Sequence, residues 1–273
     1  MTKTQDLSLA APTNRNHQAT GNYSDRAEHY AVGRPFYPAQ VAEILLERLG
    51  LVAGDRIADV GAGTGLFSLA LLKRGFVVDA VEPDAAMRLK ASTLLASFAE
   101  FRAHGGSAES IPLPDQSVAA VTVAQALHWF DREKARSEFR RIVRPGGYLL
   151  CVWNERRRSS TPFLRSLEQL LVENIPLYGR LLQADVEPKQ ITEPFSVDGS
   201  VSEAHFINSQ SLKRDVFLAR IFSSSFCPHE TDPNRPLLEG KLHELFEKYA
   251  YRHEVSIEYD TVVTFCRLTR RDR

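Results

Sequence analysis

Cysteine is scarce in this chain. Three of its 273 residues are cysteine, Cys151, Cys227 and Cys266. An odd number cannot pair completely, and no two stand in C-x-x-C spacing, which excludes a disulfide framework and a cysteine-rich zinc site. Reduced thiols in a cytoplasmic protein are the expectation. Net charge is missing too: 34 Lys and Arg balance 34 Asp and Glu, so electrostatics give no reason to expect a nucleic-acid partner. The short clusters Arg156-Arg157-Arg158 and Arg270-Arg271 read as solvated surface. No apolar run approaches the ~18 residues of a transmembrane helix, so no membrane partner is expected. Residues 1–22 show no secretory signal and, rich in Thr, Asn and Gln, read as a disordered tail. His205, His229, His243 and His253 lack metal-ligand spacing, so no metal is expected.

What the chain does have is a glycine loop. Ile57-Ala58-Asp59-Val60-Gly61-Ala62-Gly63-Thr64-Gly65 is an apolar strand running into three alternating glycines, and Leu66, Phe67, Leu69, Ala70, Leu71 and Leu72 begin a helix at once. Glycine lets backbone turn tightly and approach a ligand, and the new helix offers unpaired N–H groups. This reads as a nucleotide-type site at the carboxyl end of a parallel strand. Leu66 stands where a dinucleotide fingerprint needs a third small residue, and Asp59 would repel a pyrophosphate but suits a cationic ligand. The pattern therefore favours an amino-acid nucleoside over NAD.

Around the loop, strand and helix patterns alternate. Helices are expected at Ala39–Leu49, after Gly65, after Asp84 as cap, and at Arg132–Val143. Strands are expected at Arg56–Val60, Val77–Val81, Phe101–Ala103, Val118–Ala124 and Tyr148–Trp153. This rhythm predicts an α/β, doubly wound, mostly parallel sheet. Beyond Trp153 it breaks: helices are expected at Thr161–Ile175, Leu212–Phe222 and Leu237–Tyr249, a last strand at Ser256–Leu268, and no long element over 176–204.

The glycine motif, acid-x-Gly-x-Gly-x-Gly from Asp59 to Gly65, resembles that of the class I S-adenosylmethionine (SAM) dependent methyltransferases. Further segments share the resemblance: Glu82-Pro83 ending the next strand, Ser107-Ala108-Glu109, Gln125-Ala126-Leu127-His128-Trp129-Phe130 and Arg144-Pro145-Gly146-Gly147. Glu82 lies about 20 residues beyond Gly61, the spacing of a ribose-binding acid. With Tyr30-x-x-x-Arg34-Pro35-x-Tyr37-Pro38, the chain looks similar to the small-molecule type, the trans-aconitate and ubiquinone-biosynthesis methyltransferases. The resemblance covers residues 23–153. It implies a seven-stranded Rossmann-like methyltransferase fold with an antiparallel last strand. It departs at Ala119, where the family commonly carries an acid.

On that resemblance, the cofactor is SAM, held by Tyr30, Arg34, Asp59, Gly61, Gly63, Gly65, Glu82, Pro83, Ala108, Glu109 and Gln125. Tyr37, His128 and Trp129 are the substrate-side residues, with His128 the candidate base and Tyr23 and His29 as weaker contacts. The implied activity is methyl transfer to a small molecule. Protein or nucleic-acid methylation and a non-catalytic SAM-binding protein are the alternatives. The expected organisation is a single domain over 23–273, in which 154–235 forms a cap over the substrate pocket.

Overall fold

The protein is described by a computed structural model covering residues 33–183 and 187–270. The tail expected over residues 1–22 and the candidates Tyr23, His29 and Tyr30 lie outside the described residues.

Short apolar runs set the sheet. Strands β1 (Arg56–Val60), β2 (Val77–Val81), β3 (Phe101–His104) and β4 (Val118–Ala124) are separated by α1 to α3 and followed by α4. Helix α1 (Ala39–Glu47) starts after Pro38 and buries Val41, Ala42, Ile44 and Leu45, one face of a 3.6-residue repeat. Helix α2 (Leu66–Leu72) starts on Gly65, which caps it in a left-handed conformation (φ 81°). Helix α3 (Ala85–Leu94) is capped by the Asp84 carboxylate, which accepts from Ala86 and Met87 N–H. Helix α4 (Arg132–Ile142) is capped by Asp131 and buries Ala135, Phe139 and Ile142.

Then come β5 (Val143–Arg156), α5 (Pro162–Asn174), α6 (Pro176–Gln183), α7 (Pro188–Thr192), β6 (Ser202–Leu212), α8 (Arg214–Phe222), α9 (Arg235–Tyr249) and β7 (Val255–Arg267). One seven-stranded sheet has the order β3-β2-β1-β4-β5-β7-β6. The first five strands are parallel and β7 is antiparallel to both neighbours. This is the doubly wound, mostly parallel sheet of the Rossmann-like methyltransferase fold. Both faces of the strands are buried. Ile57, Val78, Ala120 and Leu150 join α1 and α2 in one apolar cluster, whereas Ala58, Val81, Val121 and Leu149 join α4 in the other. Ala119 is buried in the first of these, an apolar site where a carboxylate would have no partner.

Two elements differ from the sequence reading. Strand β5 begins at Val143 rather than Tyr148 and runs through Pro145-Gly146-Gly147, at the price of a register shift against β4 between Val118 and Ala120. Gly147 is required there, because a Cβ would overlap Val143 Cγ2 and sit 2.8 Å from the Ala119 carbonyl. Strand β6 lies inside the 154–235 segment yet belongs to the sheet, as its edge strand. The rest of that segment is largely helical. α5, α6 and α8, with α9, pack around Leu212, Ile257 and Tyr259 in a third apolar cluster. That cluster sits where β5 continues past Val152, the partner of the last β4 residue, to Arg156. It therefore stands at the carboxyl edge of the sheet, the ligand edge of a doubly wound fold.

Candidate active site

Strand order reverses between β1 and β4, and a crevice opens there at their carboxyl ends. The crevice opens to solvent. The glycine loop (Gly61, Ala62, Thr64) forms one wall with Leu66 and Phe67; Ala124, Gln125 and Asn154 come from β4 and β5 ends; Arg34, Pro35, Tyr37 and Arg220 close the other side.

The loop is shaped by left-handed glycines. Gly61, Gly63 and Gly65 have φ of 70°, 57° and 81°, a region costly for residues with a Cβ. At Gly61 a Cβ would also stand 2.7 Å from Ala126 Cβ and 3.2 Å from the Phe130 ring. Glu82 locks the loop from below. Its Oε2 accepts the Gly63 N–H at 2.9 Å and its Oε1 accepts the Asp84 N–H at 2.9 Å. Burial raises the Glu82 pKa, against these N–H donors. Each carboxylate oxygen keeps a lone pair for a further donor. Pro83 follows, and its carbonyl accepts from Arg88.

Asp59 faces inward. Fully buried, its Oδ2 accepts from Ser68 Oγ at 2.6 Å and its Oδ1 from Thr122 Oγ1 at 3.0 Å. It ties α2 to β1 and β4 behind the loop, and burial pushes its pKa up to about 6. Ala108 is buried in the α4-side cluster. Glu109 accepts the Asp131 N–H at 2.9 Å and so fixes the start of α4. Gln125 adopts φ 59°, held by its N–H to the Val152 carbonyl (2.9 Å) and by its Nε2 to the Asn154 carbonyl (3.2 Å). Tyr37 packs edge-on against Phe67, ring centroids 5.1 Å apart. His128 and Trp129 lie side by side, centroids 4.9 Å apart, on the single 3-10 turn Leu127–Trp129. His128 is exposed and Trp129 half-buried. The structure thus gathers Arg34, Tyr37, Gly61 and Gln125 in the pocket wall and Gly63 and Glu82 beside it. It sets Asp59 and Glu109 on internal structural bonds, and His128 and Trp129 outside the pocket wall. Among the described residues no group of His, Cys, Asp and Glu is arranged to hold a metal ion, and no helix is long and apolar enough to cross a membrane.

Three polar pocket residues escaped the sequence reading: Thr64, Asn154 and Arg220. Arg220 left a trace in the sequence, a single charge inside Phe217-Leu218-Ala219-Arg220-Ile221-Phe222. Thr64 sits within the glycine motif. Its Oγ1 is buried with no hydrogen-bond partner, although the side chain lines the pocket. Such an orphan is costly unless a ligand completes it.

A family profile described as "Methyltransferase domain" matches residues 58–151. Those residues hold β1 to β5 and the glycine loop. Residues 58–151 are a methyltransferase domain. An uncharacterized methyltransferase of Mycobacterium bovis is 45% identical over 127 residues, 46% of this chain and 49% of that relative. A malonyl-[acyl-carrier protein] O-methyltransferase of Xylella fastidiosa is 34% identical over 46% of this chain and 45% of its own length. The chain thus spans about half the length of these curated relatives. A solved structure described as a candidate type II methyltransferase from Anaeromyxobacter dehalogenans has a TM-score of 0.62 at 24% identity, covering 87% of this chain and 99% of that one; it supports the fold.

The site suits SAM, the cofactor that the resemblance of the glycine motif implies. The glycine loop lacks the Cβ atoms that would block a close approach, Glu82 offers acceptors to hydroxyl groups, and the Thr64 hydroxyl needs a partner. Replacing Glu82 by Ala should weaken SAM binding about ten- to hundredfold, the worth of a hydrogen bond to a charged acceptor, with further loss because the Gly63 N–H is released. Calorimetric titration with S-adenosylhomocysteine checks this; an unchanged dissociation constant removes Glu82 from the site.

Proposed function

We propose that the protein transfers a methyl group from SAM to a small-molecule acceptor. The observation that carries this reading is the crevice beside the glycine loop. It is narrow and walled on its far side by Arg34, Tyr37 and Arg220. A cleft of this kind suits a small ligand better than a polymer surface.

SAM supplies a methyl group activated by a sulfonium. The residues of the chain supply position and dryness. The glycine loop, Glu82 and the Thr64 hydroxyl hold the cofactor end, and Tyr37 with Phe67 gives an apolar wall that keeps water off the reacting atoms. The acceptor's lone pair takes the methyl as the carbon–sulfur bond breaks, the bonding pair staying on sulfur. An acceptor proton, where there is one, leaves to solvent or to the imidazole of His128. Trp129, on the same turn after β4 and outside the pocket wall, meets the far end of the acceptor. The helices of 154–235, with residues 33–37, form the cap that closes over it.

The test is turnover. Incubation with SAM and a pool of small metabolites should yield S-adenosylhomocysteine, and Trp129→Ala should raise the acceptor KM at least about tenfold with cofactor affinity kept. Binding of SAM with no S-adenosylhomocysteine product under any acceptor would favour a non-catalytic SAM-binding protein.

A further inference from the structure

Among the described residues Arg220 is a buried charge without a counter-ion. It is 9% exposed, in the last turn of α8, and lines the pocket. Its Nε donates to Tyr259 Oη at 2.9 Å and its Nη1 to Ser224 Oγ at 3.4 Å. Nη2 makes no hydrogen bond among the described residues, and no carboxylate there comes within ion-pair distance of the guanidinium. The neighbouring charges have the same sign. Burial, reinforced by Arg34 and Arg156, pulls the Arg220 pKa below its ordinary value, yet an arginine stays protonated. Arg156, by contrast, carries Glu168 as its own partner.

The guanidinium is also aimed. Tyr259 Oη donates onward to Gln210 Oε1 at 3.3 Å, and Gln210 Nε2 donates to the Gly33 carbonyl at 3.1 Å. Gly33 lies so close to α8 that a Cβ there would sit 2.5 Å from the Arg220 backbone nitrogen. Segment 33–37, β6, β7 and α8 thus meet at this one side chain. A buried cation left unpaired is expensive. A glutamine or methionine would fill the volume without that cost. The arrangement makes sense if a ligand brings the anion, and the free edge of a guanidinium fits a carboxylate best.

We propose that Arg220 receives a carboxylate of the methyl acceptor, so that the acceptor is a small organic acid. Among the described residues the pocket wall holds Arg34 and Arg220 and no Asp or Glu, so an acceptor acid meets no carboxylate there. The inference rests on the methyltransferase reading for the identity of the ligand, but not for the presence of an anion site.

The two sources of a carboxylate, acceptor and cofactor, separate in titrations of wild type, Arg220→Gln and Arg220→Lys. Malonate, succinate and citrate are titrated against chloride at equal ionic strength, with and without saturating S-adenosylhomocysteine. A second series compares S-adenosylhomocysteine with methylthioadenosine, which lacks the amino-acid carboxylate. The expected result is saturable binding of at least one organic acid by wild type, weakened about tenfold or more in Arg220→Gln and less in Arg220→Lys, with S-adenosylhomocysteine affinity held within about threefold. Ligand-free Arg220→Gln should melt no lower than wild type, since a buried unpaired charge has been removed; a merely structural arginine would leave a less stable protein. Loss of S-adenosylhomocysteine affinity down to that of methylthioadenosine would overturn the proposal, because the arginine would then read the cofactor. Equal binding of acids by wild type and variant, or by neither, would overturn it as well. Failure of wild type to bind S-adenosylhomocysteine would sink the methyltransferase reading instead, and the titrations without it would still decide on Arg220.

Discussion

Replacing Gly61 by valine should abolish SAM binding and destabilise the protein. Two costs coincide at this residue. A β-branched side chain at φ 70° sits in a region that costs about 1–3 kcal/mol. Its Cβ would press on Ala126 Cβ at 2.7 Å and on the Phe130 ring at 3.2 Å, and overpacking of this kind costs about 1–3 kcal/mol more. Relief would require the loop to move away from the 3-10 turn that follows β4. That movement would change the crevice wall itself. S-adenosylhomocysteine affinity should therefore fall by at least about a hundredfold, roughly 2.7 kcal/mol, with the urea midpoint lowered as well. A folded Gly61→Val protein that binds normally would mean that the loop does not cradle the cofactor. Gly61→Ala separates the contributions, since it keeps most of the φ penalty and removes the β-branch.

The second large effect concerns pH. Asp59 is fully buried with two hydroxyl donors, the Ser68 backbone N–H and, among the described residues, no cation, and burial raises its pKa from 3.8 to about 6. A folded state that holds the proton more tightly than the unfolded chain is most stable where both are protonated. Stability from this group is therefore fully present below pH ~4 and is lost as pH rises through about 6, a change of ~3 kcal/mol. Glu82, also raised by burial, adds in the same direction. Asp59→Asn should remove most of this dependence. Denaturant unfolding of both proteins between pH 4 and 8 measures the difference: the wild-type deficit relative to Asp59→Asn should grow up to pH ~6.5 and then level off. A difference that stays flat would show that Asp59 keeps its carboxylate at no cost, through contacts other than the two hydroxyls.

The parts of the fold legible in the sequence are those where a single physical constraint dominates. Strands β1, β2 and β4 are buried on both faces, so unbroken apolar runs mark them. Asp84 marks the start of α3 because a cap must accept N–H groups. Strand β6 was not legible. Ser202-Glu203-Ala204-His205-Phe206-Ile207-Asn208 belongs to a sheet edge where exposure is mixed, and even Ile207 is 76% exposed. No apolar periodicity survives there, and the ladder to β7 decides the strand. The β5 start was hidden because Pro145-Gly146-Gly147 reads as a turn, whereas the register shift lets the chain continue as strand. In the site, the glycine loop and Glu82 follow from local spacing. Arg220 does not, because its meaning depends on α8 returning to the crevice from more than 150 residues beyond the loop. Asp59 was legible as an important acid but not as an inward-facing one. The hydroxyls that hold it come from α2 and β4, and only the packed sheet brings them together.

The central claim is that the crevice beside the glycine loop binds SAM. Isothermal titration of the purified protein with S-adenosylhomocysteine and, separately, with NAD tests it most directly. The account predicts one saturable site for S-adenosylhomocysteine, weakened by Glu82→Ala and lost in Gly61→Val, and no heat from NAD. Saturable NAD binding with none for S-adenosylhomocysteine would contradict it.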